Sequence, residues 1–576
     1  MFGVGLVLAL SSLSAGCIAP ASDGVAMRVS WGLTDPAASL PDDVALLRLI
    51  IDVEGEELRD PSFTVANLED ADDNGRPELD LGEITPGVPV TISIEGQDAG
   101  GGTLYVGRAG PFVLQHGERR YVDIRMYPVN DAAVLDASAF PARFLHTATS
   151  LADGRILLAG GFDRLTPTPC PADVLVADAR CFGAVASDDA ALFEPATGRL
   201  RPTRAPMLAS RGAHTATLLP DGRVLIAGGA ETATLVFEPQ TGGFSFRIVP
   251  GGGGATFELF DPALGAEEED IDRDGDPLRG AFVGAAADAA EPGLLDAARV
   301  MHAATLLDGG RVLLAGGLGA PGTFTVFDPQ RAGGYGVVGS GPLDTPRGLP
   351  GAVTLGSGSA PAAWILGGAP AIGNDDLAEV WAPGTGTDRL GSTEPATSAA
   401  DFPNELGTGR PELALLRPLT AVLGGGTHAL VVGWYGPRCD DTGPIFSTDA
   451  PLCGYVPSSV RSYTINAATG VATPTMVPNA HAFGAIATLD DGRVAVSGGF
   501  NALTMQAGNT IDLFTGAVSM GLATPAANRP PLRAPRALHT TVAVPGGGLV
   551  TFGGILTAPN VASITLVGGL EVVYLR

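Results

Sequence analysis

The sequence predicts an all-β chain, a small β-sandwich followed by a propeller of seven four-stranded units. Three observations carry the prediction. The 576 residues include 81 Gly and 46 Pro but only 6% aromatics, a composition of many short strands and turns. Residues 27–128 alternate apolar and polar side chains in the period-2 manner of half-buried strands. From residue 140 onward a strand–turn–strand unit recurs seven times. Hydrophobic residues make up 45% of the chain, enough to bury a large core.

The first element is a targeting segment. Residues 3–13 (GVGLVLALSSL) form an uncharged apolar run, too short to span a hydrocarbon layer of roughly 30 Å as a helix. It ends at Leu13-Ser14-Ala15-Gly16-Cys17, which resembles the lipobox of bacterial lipoproteins. That resemblance implies a signal peptide over 1–16, lipidation of Cys17 and a tether over 17–26. Ile18, where many lipoproteins held at the inner membrane carry Asp, favours delivery to the outer membrane, on its periplasmic side or at the cell surface. Four further Cys fall as two local couples, Cys170 with Cys181 and Cys439 with Cys453, an even count suited to disulfides in an oxidising compartment.

The second element, 27–128, alternates at Val90, Ile92 and Ile94 and again at Val122, Ile124 and Met126, with turns at Pro86-Gly87 and Ala99–Gly102 between strands. Strand count and spacing predict an immunoglobulin-like β-sandwich. Its one histidine, His116, sits in a turn-like Gln-His-Gly and reads as solvated.

The third element spans 140–576. The best copies of its unit begin at His146, His214 and His302; weaker ones lie at Pro350, Thr420, Gly484 and His539. Double glycines mark six copies, at 160–161, 228–229, 316–317, 367–368, 498–499 and 553–554, and the fifth keeps Gly433 before Trp434. Asp153-Gly154, Asp221-Gly222 and Asp491-Gly492 predict two-residue hairpin turns. A third strand then ends in an aromatic–acid–Pro or related turn at Phe193, Phe237, Phe327 and Trp381, and a fourth follows. Radial repetition of four-stranded sheets leaves no long exposed edge. In the last copy Ser563–Val567 and Leu570–Leu575 read as its own third and fourth strands, so the chain needs no borrowed strand to finish it.

The recurring hairpin, glycine pair and Phe-acid-Pro turn resemble the kelch repeat of bacterial surface and secreted proteins, related to the central domain of galactose oxidase. The resemblance covers residues 140–576 and implies a seven-bladed kelch-like β-propeller.

Charge limits the chemistry. The chain carries 34 basic and 62 acidic side chains, a formal charge of −28, and every basic residue is Arg. Without Lys there is no Schiff-base lysine and no P-loop lysine, and so acidic a chain is unsuited to gripping nucleic acid. Three residues before the His-Thr position each copy has a base: Arg143, Arg211, Arg299, Arg347, Arg417, His481 and Arg536. Sevenfold recurrence argues for a structural role, in which each satisfies the same buried carbonyl or an inter-blade carboxylate; the alternative is a basic collar attracting an anion. His146, His214, His302 and His539 read as structural for the same reason. No metal triad, no Gly-x-Ser-x-Gly elbow and no close pair of unrepeated carboxylates stands in the sequence, so no catalytic residue is assigned.

Two acidic loops, Asp270-x-Asp272-x-Asp274-Gly-Asp276 and Asp70-x-Asp72-x-Asn74-Gly, match the first half of a calcium loop but lack its twelfth-position Glu; each is read as a Ca2+ site or a solvated turn. Hairpin geometry places the basic collar, the glycine pairs and the loops 162–188 and 435–459 on one face and the Asp-Gly turns on the other. Long loops there suggest capture of a glycan or protein, with Trp434, Tyr435 and Tyr455 read either as stacking groups or as packing within the loops. The functional expectation is an exported, lipid-anchored, monomeric binding module of the envelope that meets the membrane through its anchor alone. A kelch-type oxidase or other carbohydrate-active enzyme is the first alternative, and a structural envelope protein without a ligand pocket the second.

Overall fold

The structure, a computed structural model, describes residues 24–31, 41–54, 62–64, 78–80 and 84–576 apart from 173, 175–177, 239–242, 249, 265–279, 285–290, 332–333, 357–361, 369–377, 383–391, 396–412, 438–458, 476, 478, 480, 502–505, 520–521, 526–529 and 558–562. The chain is all-β and divides into two compact units, one of Met1–Val129 with Glu194–Arg199 and one of Asn130–Phe193 with Leu200–Arg576. No described helix is long and apolar enough to cross a membrane.

In the first unit seven strands form one continuous hydrogen-bonded path, rather than two separately bonded sheets. The antiparallel part runs from Ser62–Thr64 through Leu46–Val53 and Pro89–Gln97 to Thr103–Val113. Only Tyr105↔Pro128 and Val106↔Tyr127 join it to Arg119–Pro128, which pairs in parallel with Gly24–Trp31. So narrow a join lets the two parts fold over one core, in which Leu49, Ile51, Val90, Ile92, Ile94, Ile124 and Met126 are buried. The period-2 positions read from the sequence are those buried residues.

In the second unit seven antiparallel sheets of four strands each follow in chain order among the described residues, the second with an extra short strand at Gly293–Leu294, beside one further four-stranded sheet and one two-stranded one. Their leading strands are Thr147–Ser150, Thr215–Leu218, Ala303–Leu306, Gly351–Leu355, Leu413–Leu423, Ala485–Thr488 and Thr540–Val544. Each leading strand lies beside the next, and Thr540–Val544 lies beside Thr147–Ser150. The second strands are short apolar runs such as Ile156–Ala159, Val224–Ala227 and Val312–Ala315, buried along their whole length because a neighbouring sheet covers each face. Apolar clusters fill the successive intervals from the first sheet to the seventh. Leu157, Leu192, Ile226 and Phe260 join the first sheet to the second, and Phe193 meets Phe552 of the seventh with ring centroids 5.8 Å apart.

Three details differ from the sequence reading. The Asp-Gly connections are three-residue turns: Leu151 and Arg155 close the first, Gly154 N donates to Leu151 O, and Gly154 alone takes a positive φ, 85°. In the second repeat the strand ending at Phe237-Glu238 is not the third strand of its sheet. That place belongs to Thr256–Asp261, while Thr232–Glu238 and Gly243–Ile248 pair with Phe162–Thr168 and Arg180–Ala186 in a separate four-stranded sheet. In the last repeat Leu570–Tyr574 is the third strand, Ile564–Leu566 forms a hairpin with Ile555–Thr557, and the fourth strand is borrowed from Ala132–Leu135. Asp131 and Ala132 O, at the start of that strand, are both held by Arg533.

Candidate functional site

The six repeated bases whose side chains are described are buried within their own sheets. Nη1 of Arg143, Arg211, Arg299, Arg347 and Arg536 donates to the carbonyl of the first glycine of the same repeat, at 2.7–3.2 Å, and His481 Nδ1 meets Gly498 O at 2.6 Å. The expected carbonyl is therefore present. The expected inter-blade carboxylate is instead supplied by the same sheet, on the strand opposite. Glu258, Glu379, Asp512 and Glu571 each face, in register, the residue two places before the first glycine. Arg211 meets Glu258 at 2.8 Å, Arg347 meets Glu379 at 2.7 Å, His481 meets Asp512 at 3.2 Å, and Arg536 pairs with Glu571.

The same carboxylates accept backbone N–H groups of the segment entering the repeat, from Leu208, Asp344 and Thr345, Asn479, and Arg533 and Ala534. Base, glycine carbonyl and entering segment are thus tied by one buried acid. Two sheets vary the device. Ala191 fills the register position in the first, and Arg143 reaches Asp189 at 3.2 Å; Thr325 fills it in the third, relaying Arg299 to Asp296. Burial pulls Arg299 down to about 10, and the Asp296 charge opposes that shift. These bases are clamps, turned away from any anion at the surface.

The histidines tie each sheet to its predecessor. His214 Nε2 lies 2.9 Å from Thr147 Oγ1, His302 Nε2 2.8 Å from Thr215 Oγ1, and His146 Nε2 2.8 Å from Thr540 Oγ1. His539 Nε2 lies 3.2 Å from Ser497 Oγ. Burial, reinforced by the neighbouring Arg charges, holds His146 down to about 3 and the other three well below the ordinary range, so all four are neutral struts. The glycine pair makes room for them. A Cβ on Gly160 would stand 2.3 Å from Arg211 O and 2.8 Å from the His214 ring, and one on Gly161 would stand 2.6 Å from His146 Cβ.

The loop 162–188, expected to bind, packs over the starts of the leading strands, while 438–458 of the second such loop lie outside the described residues. Phe182, Ala184 and Ala186 of the loop 162–188 lie with Leu235, Phe237, Phe246 and Ile248 on one side of the inserted sheet. They bury against Leu145, Met301, Phe483 and Leu538, which immediately precede the leading strands or their His. Phe246 meets Phe483 edge-on at 5.8 Å. The Cys170–Cys181 disulfide is formed and closes the hairpin of this lid.

The opposite end is open. A cavity of about 650 Å3 lies between the leading strands of the third to sixth sheets, beside the hairpin turns. Its wall combines Thr305, Thr354, Thr420 and Thr488 with Leu306, Val353 and Val422, and Asp308 stands exposed at its rim. The leading strands that make this wall supply Thr, Ala, Val and Leu, and among the described residues no Arg or His lines it. Sequence reasoning missed it because the signal, a Thr in nearly every leading strand, reads as ordinary strand composition.

No family model matches the chain, and no curated protein matches it. Among solved structures, "Structure of YjhT" is similar at 10% identity and a TM-score of 0.32, covering 75% of this chain and 99% of that one.

Several sequence candidates lie outside the described residues: Cys17, the couple Cys439 and Cys453, Tyr455, and the acidic loops with Asp70, Asp72, Asn74, Asp270, Asp272, Asp274 and Asp276. The side chains of Arg417, Trp434 and Tyr435 lie outside them as well. Among the described residues no group of three His, Cys, Asp or Glu is placed to hold a metal ion.

Proposed function

We propose that the seven sheets are the blades of a closed, kelch-like propeller, and that the protein is an exported, lipid-anchored binding module of the cell envelope whose ligand enters at the end bearing the Asp-Gly turns. One observation carries the choice of end: the inserted sheet buries one side of the leading strands, while the other opens into the Thr-lined cavity. The recurrence of the His-to-Thr strut between the seventh and first repeats supports closure.

Binding rather than catalysis fits the way the polar groups are used. The repeat's bases and most of its buried acids are committed to clamps, and the cavity wall offers hydroxyls and aliphatic carbons beside a single carboxylate.

The test is capture from the native envelope by wild type and by Thr488→Trp, which fills the open end at an exposed strand terminus. The substitution is expected to leave the melting temperature within a few degrees and to abolish capture. Undiminished capture by a folded Thr488→Trp protein would return the site to the loops.

A further inference from the structure

The cavity's hydroxyls are not equivalent in what they can still offer. Thr354 Oγ1 lies 2.6 Å from Leu306 O, and a carbonyl only accepts, so the single Thr354 proton is directed there. Thr305 Oγ1 lies 2.8 Å from Thr354 Oγ1, so Thr305 must be the donor of that pair. Thr420 Oγ1 donates to Ala352 O at 3.0 Å. Three wall hydroxyls therefore face the cavity with lone pairs alone.

In the adjoining turn three backbone N–H groups are already engaged. Leu307 N is held by Arg311 O, Gly310 N by Leu307 O, and Gly309 N by Asp308 Oδ1 at 2.9 Å. Asp308 adds a carboxylate at the rim, and among the described residues no Arg or His forms an ion pair with it. By contrast the acids of the Asp-Gly turns, Asp153, Asp221 and Asp491, are each paired with the Arg two places on.

Three acceptor hydroxyls beside one unneutralised acid favour hydrogen-bond donors that carry positive charge over anions. We infer that the cavity receives an alkylammonium or guanidinium group, from a free polyamine or from a basic side chain of a peptide. The inference rests on the proposal that the open end is the binding end. The formal charge of −28 draws such cations toward the molecule at long range, and the acceptors then fix their orientation.

The experiment titrates the full chain by calorimetry at low salt with spermidine, an amidated Gly-Arg-Gly peptide, a neutral maltotriose and an acidic Gly-Asp-Gly peptide. Spermidine or the arginine peptide is expected to bind at one site, at least tenfold more weakly to Asp308→Asn and not measurably to Thr488→Trp. The tighter of the two cations identifies the source. Cation binding that neither substitution changes would reflect general attraction to an acidic surface and would overturn the inference. Maltotriose bound as tightly as either cation, and lost in Thr488→Trp, would also overturn it while leaving the open end as the binding end. No binding of any probe, together with envelope capture that Thr488→Trp leaves intact, would overturn both.

Discussion

A histidine that bridges two sheets works only as a neutral group here. His146, His214, His302 and His539 each place Nε2 on a hydroxyl of a neighbouring repeat, with Arg guanidinium groups close enough to oppose a second positive charge. In the unfolded chain such residues take up protons below about pH 6.5, whereas folded His146 does so only near 3. Between those values the unfolded state binds more protons, so stability falls as pH falls, by about 1.4 kcal/mol per pH unit for each His involved. The urea midpoint is accordingly expected to drop between pH 6.5 and 5, above the range where most carboxylates titrate, and His302→Gln should reduce that slope. A flat profile over this window would show that the struts already tolerate charge. The acids opposite the bases follow a different logic: Arg211 and Glu258 are both removed from water, and Leu208 N, Gly228 O, Gly253 O and Thr256 take up what the ion pair leaves over, Arg211 Nε excepted.

At the scale of elements, the lid shows how the inserted strands hold together. Its inner side chains join the cluster around Phe483, and the Cys170–Cys181 bridge restricts the hairpin connection. Reduction, or Cys170→Ser, is expected to raise amide exchange across Phe162–Thr168 and Arg180–Ala186 while exchange in Val224–Ala227 stays slow. Uniform acceleration across both would mean that lid and sheets open together. The hairpins and glycine pairs were legible in the sequence because each is local and repeated. The third strand of the second sheet was not, because Phe237-Glu238-Pro239 carries the same turn signal as Phe260-Asp261-Pro262 and comes first. The clamps were half legible. The bases recur at a fixed offset from the glycines, but their acids are identified by cross-strand register, which spacing along the chain does not reveal. The cavity's polarity was least legible, since it depends on hydroxyls donating to carbonyls of adjacent sheets.

For the whole molecule the decisive element is the four-residue strand Ala132–Leu135, which carries no repeat signature and completes the seventh sheet. Deleting residues 132–135 is expected to expose the edge of Leu570–Tyr574 and promote aggregation, measured by size exclusion after refolding; an unchanged elution profile and melting temperature would show that the seventh sheet stands on three strands. Asn130 and Arg576, 446 positions apart, also meet at this join. Chains are made from the amino end, so Ala132–Leu135 waits for its partner Leu570–Tyr574 until the earlier sheets have been made. A chain cut short before Leu570 therefore keeps two raw edges and an open seam, a state that proteases and chaperones recognise. The borrowed strand thus acts as a check on synthesis: the seventh sheet is completed only once the chain has been translated through Tyr574.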